Sequence, residues 1–98
     1  MSTRYTWKET KRKANIVKHG LDFMDADLVI ESPYKYEIDS PRGHEMRKQV
    51  FSYVFDELTV LTLVYQPGKI PHIISFRHAH KDEREIYYDW LENDYNDT

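Results

Sequence analysis

Lys18 and His19 stand immediately before Gly20, at a point where a polar helix has to stop. They bring together an ammonium and an imidazole, the side chain best suited to exchange a proton near neutral pH. Gly20 supplies the stop, because glycine takes the left-handed conformation at a helix end without a steric cost. A helix macrodipole favours the same two residue types in its last turn, so the triplet reads both as a helix end and as a corner of a reactive site. His72, His78 and His80 lie at even spacing, which on one long strand would align three imidazoles as possible zinc ligands. Ile74 and Phe76 would occupy that same face, and the strand should end near Ala79, so neither a metal nor a cofactor is expected.

The net charge of −3 argues against binding a polyanion by bulk electrostatics. Its distribution is uneven. Cations gather at Lys8–Lys18, Arg42–Lys48 and Arg77–Arg84, whereas Glu85, Asp89, Glu92, Asp94 and Asp97 crowd the end of the chain. A local basic patch is compatible with an acidic tail.

The elements that must position these residues follow from periodicity. Arg4–Trp7 alternates as a short edge strand. From Lys8 the pattern is helical to Gly20, with Ala14 and Val17 as the apolar positions and lysine and arginine outside. Asp22 is a good N-cap, and Asp25 completes a capping-box-like pair for a second helix to about Val29 or Ile30, with Phe23, Ala26 and Ile30 as its stripe. Pro33 ends it. The period then switches to two: strands are expected over Tyr34–Asp39, Arg47–Phe55, Leu58–Gln66 and Lys69–His78, joined by turns at Ser40–Glu45, Asp56-Glu57 and Pro67-Gly68. Both faces of the third are apolar, which makes it central. In the last, Ile70, Ile74 and Phe76 should point one way and Ile73, Ser75 and Arg77 the other. A final helix from Lys81 turns Ile86, Trp90 and Tyr87 inward and frays after Leu91.

These elements predict an α+β domain: a mainly antiparallel sheet of about four to five strands with two N-terminal helices and one C-terminal helix. With 98 residues the chain is one domain, Met1–Leu91, followed by an acidic tail, Glu92–Thr98. Its apolar runs fall far short of the roughly 18 residues a membrane span needs. The charged start has no signal-peptide core, and cysteine is absent, so a cytoplasmic location is expected.

Trp7, Lys11, Asn15, Lys18-His19-Gly20, Phe23 and Ala26, followed by Arg47, Val64-Tyr65, Ile73-Ile74-Ser75-x-Arg77-x-Ala79 and Glu83-Arg84 with Tyr87, form an ordered series over almost the whole chain. The series resembles the BrnT family, small toxins of type II toxin–antitoxin systems that are similar in fold to RelE-type ribonucleases. The resemblance implies an endoribonuclease that needs no metal, inhibits translation and is neutralised by an antitoxin. That partner would be BrnA-like, with a ribbon-helix-helix DNA-binding part, in a heterotetramer of two toxins around an antitoxin dimer.

RNA can be cut by its own 2′-hydroxyl, so such a protein needs proton transfer and cations rather than a nucleophile. On that basis Arg47 and Arg77 are assigned to phosphate and transition-state stabilisation, and Lys18 and His19 to proton transfer or further phosphate contact. Tyr87 would close the catalytic site, and Lys11 and Arg84 would contact RNA. Each has a plainer alternative: Arg77 paired with Glu83 or Asp82, His19 as a cap, Tyr87 as core, Arg47 as an edge-strand charge. The chain also departs from the family pattern. Lys8 follows Trp7 where aspartate is usual, and His72 and Phe76 stand near positions that more often hold arginine and a small residue. Those departures leave a second reading open, a catalytically weakened module that binds an antitoxin and assists operon autorepression.

Overall fold

The computed structural model describes residues 4–95. Helix α1 (Glu9–His19) comes first, followed by a 3₁₀ turn (Phe23–Asp25) and the single-turn helix α2 (Asp27–Ile30). Strands β1 (Tyr36–Asp39), β2 (Lys48–Val54), β3 (Thr59–Gln66) and β4 (His72–His78) then form a sheet in the order β1-β2-β3-β4, every neighbour antiparallel. Helix α3 (Lys81–Trp90) closes the fold and runs into a π-helical turn (Leu91–Tyr95), where fraying was expected. The expected run Asn96-Asp97-Thr98 lies outside the described residues. No helix among them is long and apolar enough to cross a membrane.

Register explains how the two sheet faces differ. Val50 pairs with Leu63 and Leu63 with Phe76, so one face carries an apolar row. Leu21, Phe23, Ala26 and Val29 cover that row, and all of these side chains are buried. On the opposite face the row Tyr53–Val60, together with Phe51, Ala79 and Tyr87, forms a second and smaller core under α3. Beside it lies a polar row: Gln49 pairs with Val64, and Val64 with Ser75; next to them Phe51 pairs with Thr62, and Thr62 with Arg77.

Several local expectations need correction. Arg4–Trp7 forms no strand; Thr6 alone bridges His72, in parallel, donating its N–H to the Pro71 carbonyl at 2.9 Å and accepting from the Ile73 N–H at 2.8 Å. In α1 the apolar residues face outward, with Val17 89% exposed, and the buried position is Asn15. Its amide replaces hydrophobic contact with hydrogen bonds: Nδ2 donates to the Leu21 carbonyl at 2.9 Å and to the Phe76 carbonyl at 2.6 Å, and Oδ1 accepts from the Phe76 N–H at 3.3 Å. A buried amide so satisfied fixes the angle at which α1 meets β4, which nonspecific apolar packing would not do. Asp22 caps as expected, accepting from the Met24 N–H at 2.9 Å, while its carboxylate also takes two bonds from Arg12. The helix it starts is split into the 3₁₀ turn and α2, with Val29 rather than Ile30 completing the buried stripe.

The largest correction concerns β4. Tyr65 pairs with Ile73 but Val64 pairs with Ser75, so Ile74 is the extra residue of a β-bulge. The bulge changes the parity of the strand, placing Ile73 and Phe76 in the same core instead of on opposite faces. It also breaks the even spacing of the histidines: β4 ends at His78, and His80 lies outside it, at the start of α3. Among the described residues no group of three or more His, Cys, Asp or Glu is arranged to hold a metal ion.

Candidate functional site

The polar row of the sheet opens into a cavity of about 350 Å³ in which Arg47 and Arg77 face the same space. Arg47 lies one residue before β2 and Arg77 lies within β4; the bulged Ile74, Ser75, Gln49 and Glu83 line the walls between them. A cleft of about 250 Å³ adjoins it, lined by Lys8 and Lys11 from the start of α1, and by Glu45, Gln66 and His72. Arg47 and Ile74 belong to both linings, so the two spaces form one groove along the end of the sheet.

Glu83 is the hub of the cavity. Its Oε1 accepts from Arg77 Nη1 at 2.6 Å, from the His80 N–H at 2.8 Å and from Thr62 Oγ1 at 3.4 Å. Oε2 accepts from Arg77 Nη2 and from Gln49 Nε2, both at 2.8 Å. The bond from His80 is half of a capping box at the start of α3, so one carboxylate ties that helix to β2, β3 and β4. Burial pushes the Glu83 carboxyl upward, but the Arg77 fork, the His80 amide and the neighbouring charges outweigh it and hold it down to about 2. A carboxylate so engaged is a poor proton acceptor at neutral pH.

Arg77 meets Glu83 end-on and also donates from Nη1 to the His78 carbonyl at 3.3 Å. Three of its five N–H groups are thereby used, which leaves the edge formed by Nε and Nη2 for a further anion. Arg47 is held differently, by an ion pair with Glu45, whose other oxygen accepts from Gln66 Nε2 at 3.2 Å.

Of the residues singled out in the sequence, Arg47 and Arg77 share the cavity and Lys11 lines the adjoining cleft. The remaining four lie outside both linings. Lys18 is exposed and His19 half-buried at the end of α1, where Gly20 takes φ 70°. Burial pushes the His19 imidazole down, and Lys18, Arg77, His78 and His80 act in the same direction, favouring its neutral form. Arg84 donates to the Ala79 carbonyl at 2.8 Å, bracing the turn into α3. Tyr87 is fully buried beneath the sheet; its hydroxyl donates to the Tyr34 carbonyl at 2.7 Å and accepts from the Tyr53 N–H at 3.1 Å. That placement makes Tyr87 core rather than a closing group of the cavity. Arg77 does pair with Glu83, the plainer of its two alternatives, while still facing the cavity.

Glu83, Gln49 and Ser75 also line the cavity, with no site role expected for them from the sequence. The signal available for Glu83 was its position three residues after His80, where a capping box places a carboxylate.

A family model described as the ribonuclease toxin BrnT of type II toxin–antitoxin systems matches residues 7–83, from the tryptophan before α1 to the carboxylate that holds Arg77. No curated protein matches the chain. The matched span includes every residue named above as lining the groove, and the chain therefore belongs to the BrnT family of ribonuclease toxins.

Proposed function

We propose that this toxin is a metal-independent endoribonuclease of RelE-like fold that cleaves RNA by attack of the 2′-hydroxyl on the adjacent phosphorus. The observation that carries this reading is that Arg47 and Arg77 line one cavity. Two guanidinium groups in one cavity can grip a phosphodiester and stabilise the extra negative charge of a pentacoordinate phosphorane. Lys11 extends the positive lining along the groove, in the direction an RNA backbone would follow. Lys18 and His19, at the end of α1 and outside the lining of the groove, would serve as further phosphate contacts.

The family implies an antitoxin partner. In this reading the partner is BrnA-like, with a ribbon-helix-helix part, two toxins assemble around an antitoxin dimer in the cytoplasm, and inhibition of translation lasts until that complex forms. Residues 1–91 make up the working domain, with 92–98 as an acidic tail.

The test is RNA cleavage by the purified chain in excess chelator. Arg47→Ala should lower the rate by about 10²-fold, the loss typical of one transition-state donor, with the fold preserved because the side chain is half-exposed. Full activity in a folded Arg47→Ala protein would remove the assignment. No cleavage by the parent chain, with antitoxin binding intact, would favour the interaction-module reading, in which the Arg77–Glu83 pair is purely architectural.

A further inference from the structure

The cavity that would grip the scissile phosphate contains no group suited to accept a proton. Its arginines carry guanidinium groups, which donate hydrogen bonds and have no acceptor. Its one carboxylate, Glu83, accepts five hydrogen bonds and keeps its charge. Glu45, in the adjoining cleft, has one oxygen on Arg47 and the other on Gln66. His72 is the imidazole that lines this cleft.

His72 is also held in place. Its Nδ1 is 3.0 Å from Thr6 Oγ1, and the Thr6 backbone is bonded on both sides to the edge of β4, at Pro71 and Ile73. In the tautomer whose Nδ1–H donates to Thr6 Oγ1, Nε2 carries the lone pair that can take a proton. The charged groups around it are Lys8 and Lys11 from the start of α1, and Glu45 and Arg47 from the segment before β2. His72 begins β4, and Ser75 of the cavity lies three residues along the same strand with the bulge between them, a separation of roughly 10 Å or less. A nucleotide whose phosphate sits between Arg47 and Arg77, with its chain running along the groove, can present its ribose to the cleft.

We infer that His72 is the general base of RNA cleavage, with Lys8, Lys11 and Thr6 forming the ribose side of the groove. This rests on the ribonuclease reading above and names the group that reading lacks. Nε2 of the neutral imidazole takes the 2′-hydroxyl proton as O2′ bonds to phosphorus. The P–O5′ bond breaks, O5′ takes a proton from solvent water, and the imidazolium returns its proton to solvent. The products are a 2′,3′-cyclic phosphate and a 5′-hydroxyl, with no net proton consumed.

The experiment measures single-turnover cleavage of an RNA oligonucleotide from pH 5 to 9, for the parent chain and His72→Gln, alongside affinity for the same oligonucleotide carrying a 2′-deoxyribose at the scissile position. The parent rate should rise with pH, as proton acceptance by a neutral base requires. His72→Gln should lose on the order of 10²- to 10⁴-fold in rate together with that rise, while binding the deoxy analogue within about threefold of the parent. A parent chain that cleaves, with a His72→Gln variant matching its rate and pH profile, overturns the inference and leaves the ribonuclease reading standing. An equal loss of analogue binding would make His72 a binding residue and also overturns it. A parent chain that cuts no RNA at any pH overturns both readings.

Discussion

The two faces of the sheet solve the same problem in opposite ways. Under α1 and α2 the row Val50–Leu63–Phe76 is buried by apolar side chains, and the energy there is spread over many weak contacts. Across the sheet the row Phe51–Thr62–Arg77 is held at one end by Phe51 and Tyr87 and at the other by the Arg77–Glu83 pair. A dispersed core tolerates small changes, whereas a buried ion pair is tolerant only while both partners are present. The polar half of the sheet is therefore positioned by a few bonds, each decisive, and that is the half that opens into the groove.

Arg77→Ala breaks this contrast most severely. It leaves the Glu83 carboxylate buried without its main partner, and we expect a loss of about 3–5 kcal/mol in denaturant unfolding. Replacing both residues by apolar ones of similar volume should recover most of that loss, which separates the pair's architectural role from any catalytic one. If the single variant were as stable as the parent, the two faces would not differ as argued.

Acid should affect the polar face next. Glu83 has its carboxyl held down to about 2 in the folded protein, below the ordinary 4.5, so the folded state binds fewer protons than the unfolded chain in between. Its contribution to stability is present above about pH 4.5 and is lost as pH falls toward 2. Urea midpoints measured over that window should decline with a slope that Glu83→Gln reduces; an unchanged slope would mean that other carboxylates dominate. The smallest effect concerns the junction beside the apolar face. Gly20→Ala meets no atom within 4 Å, so its cost comes from φ 70° alone, about 1–2 kcal/mol in thermal or chemical unfolding.

Much of this architecture was legible from patterns of local chemistry. Alternation located all four strands, Gly20 and Asp22 marked two boundaries, and the central position of β3 followed from its apolar faces. Two features were hidden because they depend on tertiary pairing. The bulge at Ile74 leaves no local sequence mark, yet it decides which residues of β4 face the core. The docking of α1 through Asn15 runs against the rule that a helix buries its apolar residues, since Val17 is given to solvent. In the site, Arg47 and Arg77 were recoverable as charges on strand ends, but Glu83 acquires its meaning from partners on three strands. His72 gains Thr6, Lys8 and Lys11 as neighbours only through the fold, which local sequence does not show.

The Thr6–His72 contact has a consequence for the order in which the molecule is completed. The four strands form a meander, each pairing with the next, and such short loops close early in folding. Thr6 and His72 are 66 residues apart, and Asn15 and Phe76 are 61, so these hydrogen bonds join the N-terminal segment to the last strand. On a ribosome, where the chain appears from its N-terminus, the start of α1 must wait for β4 to be synthesised. The groove is thus a late product of chain growth, absent from any nascent fragment that stops short of β4.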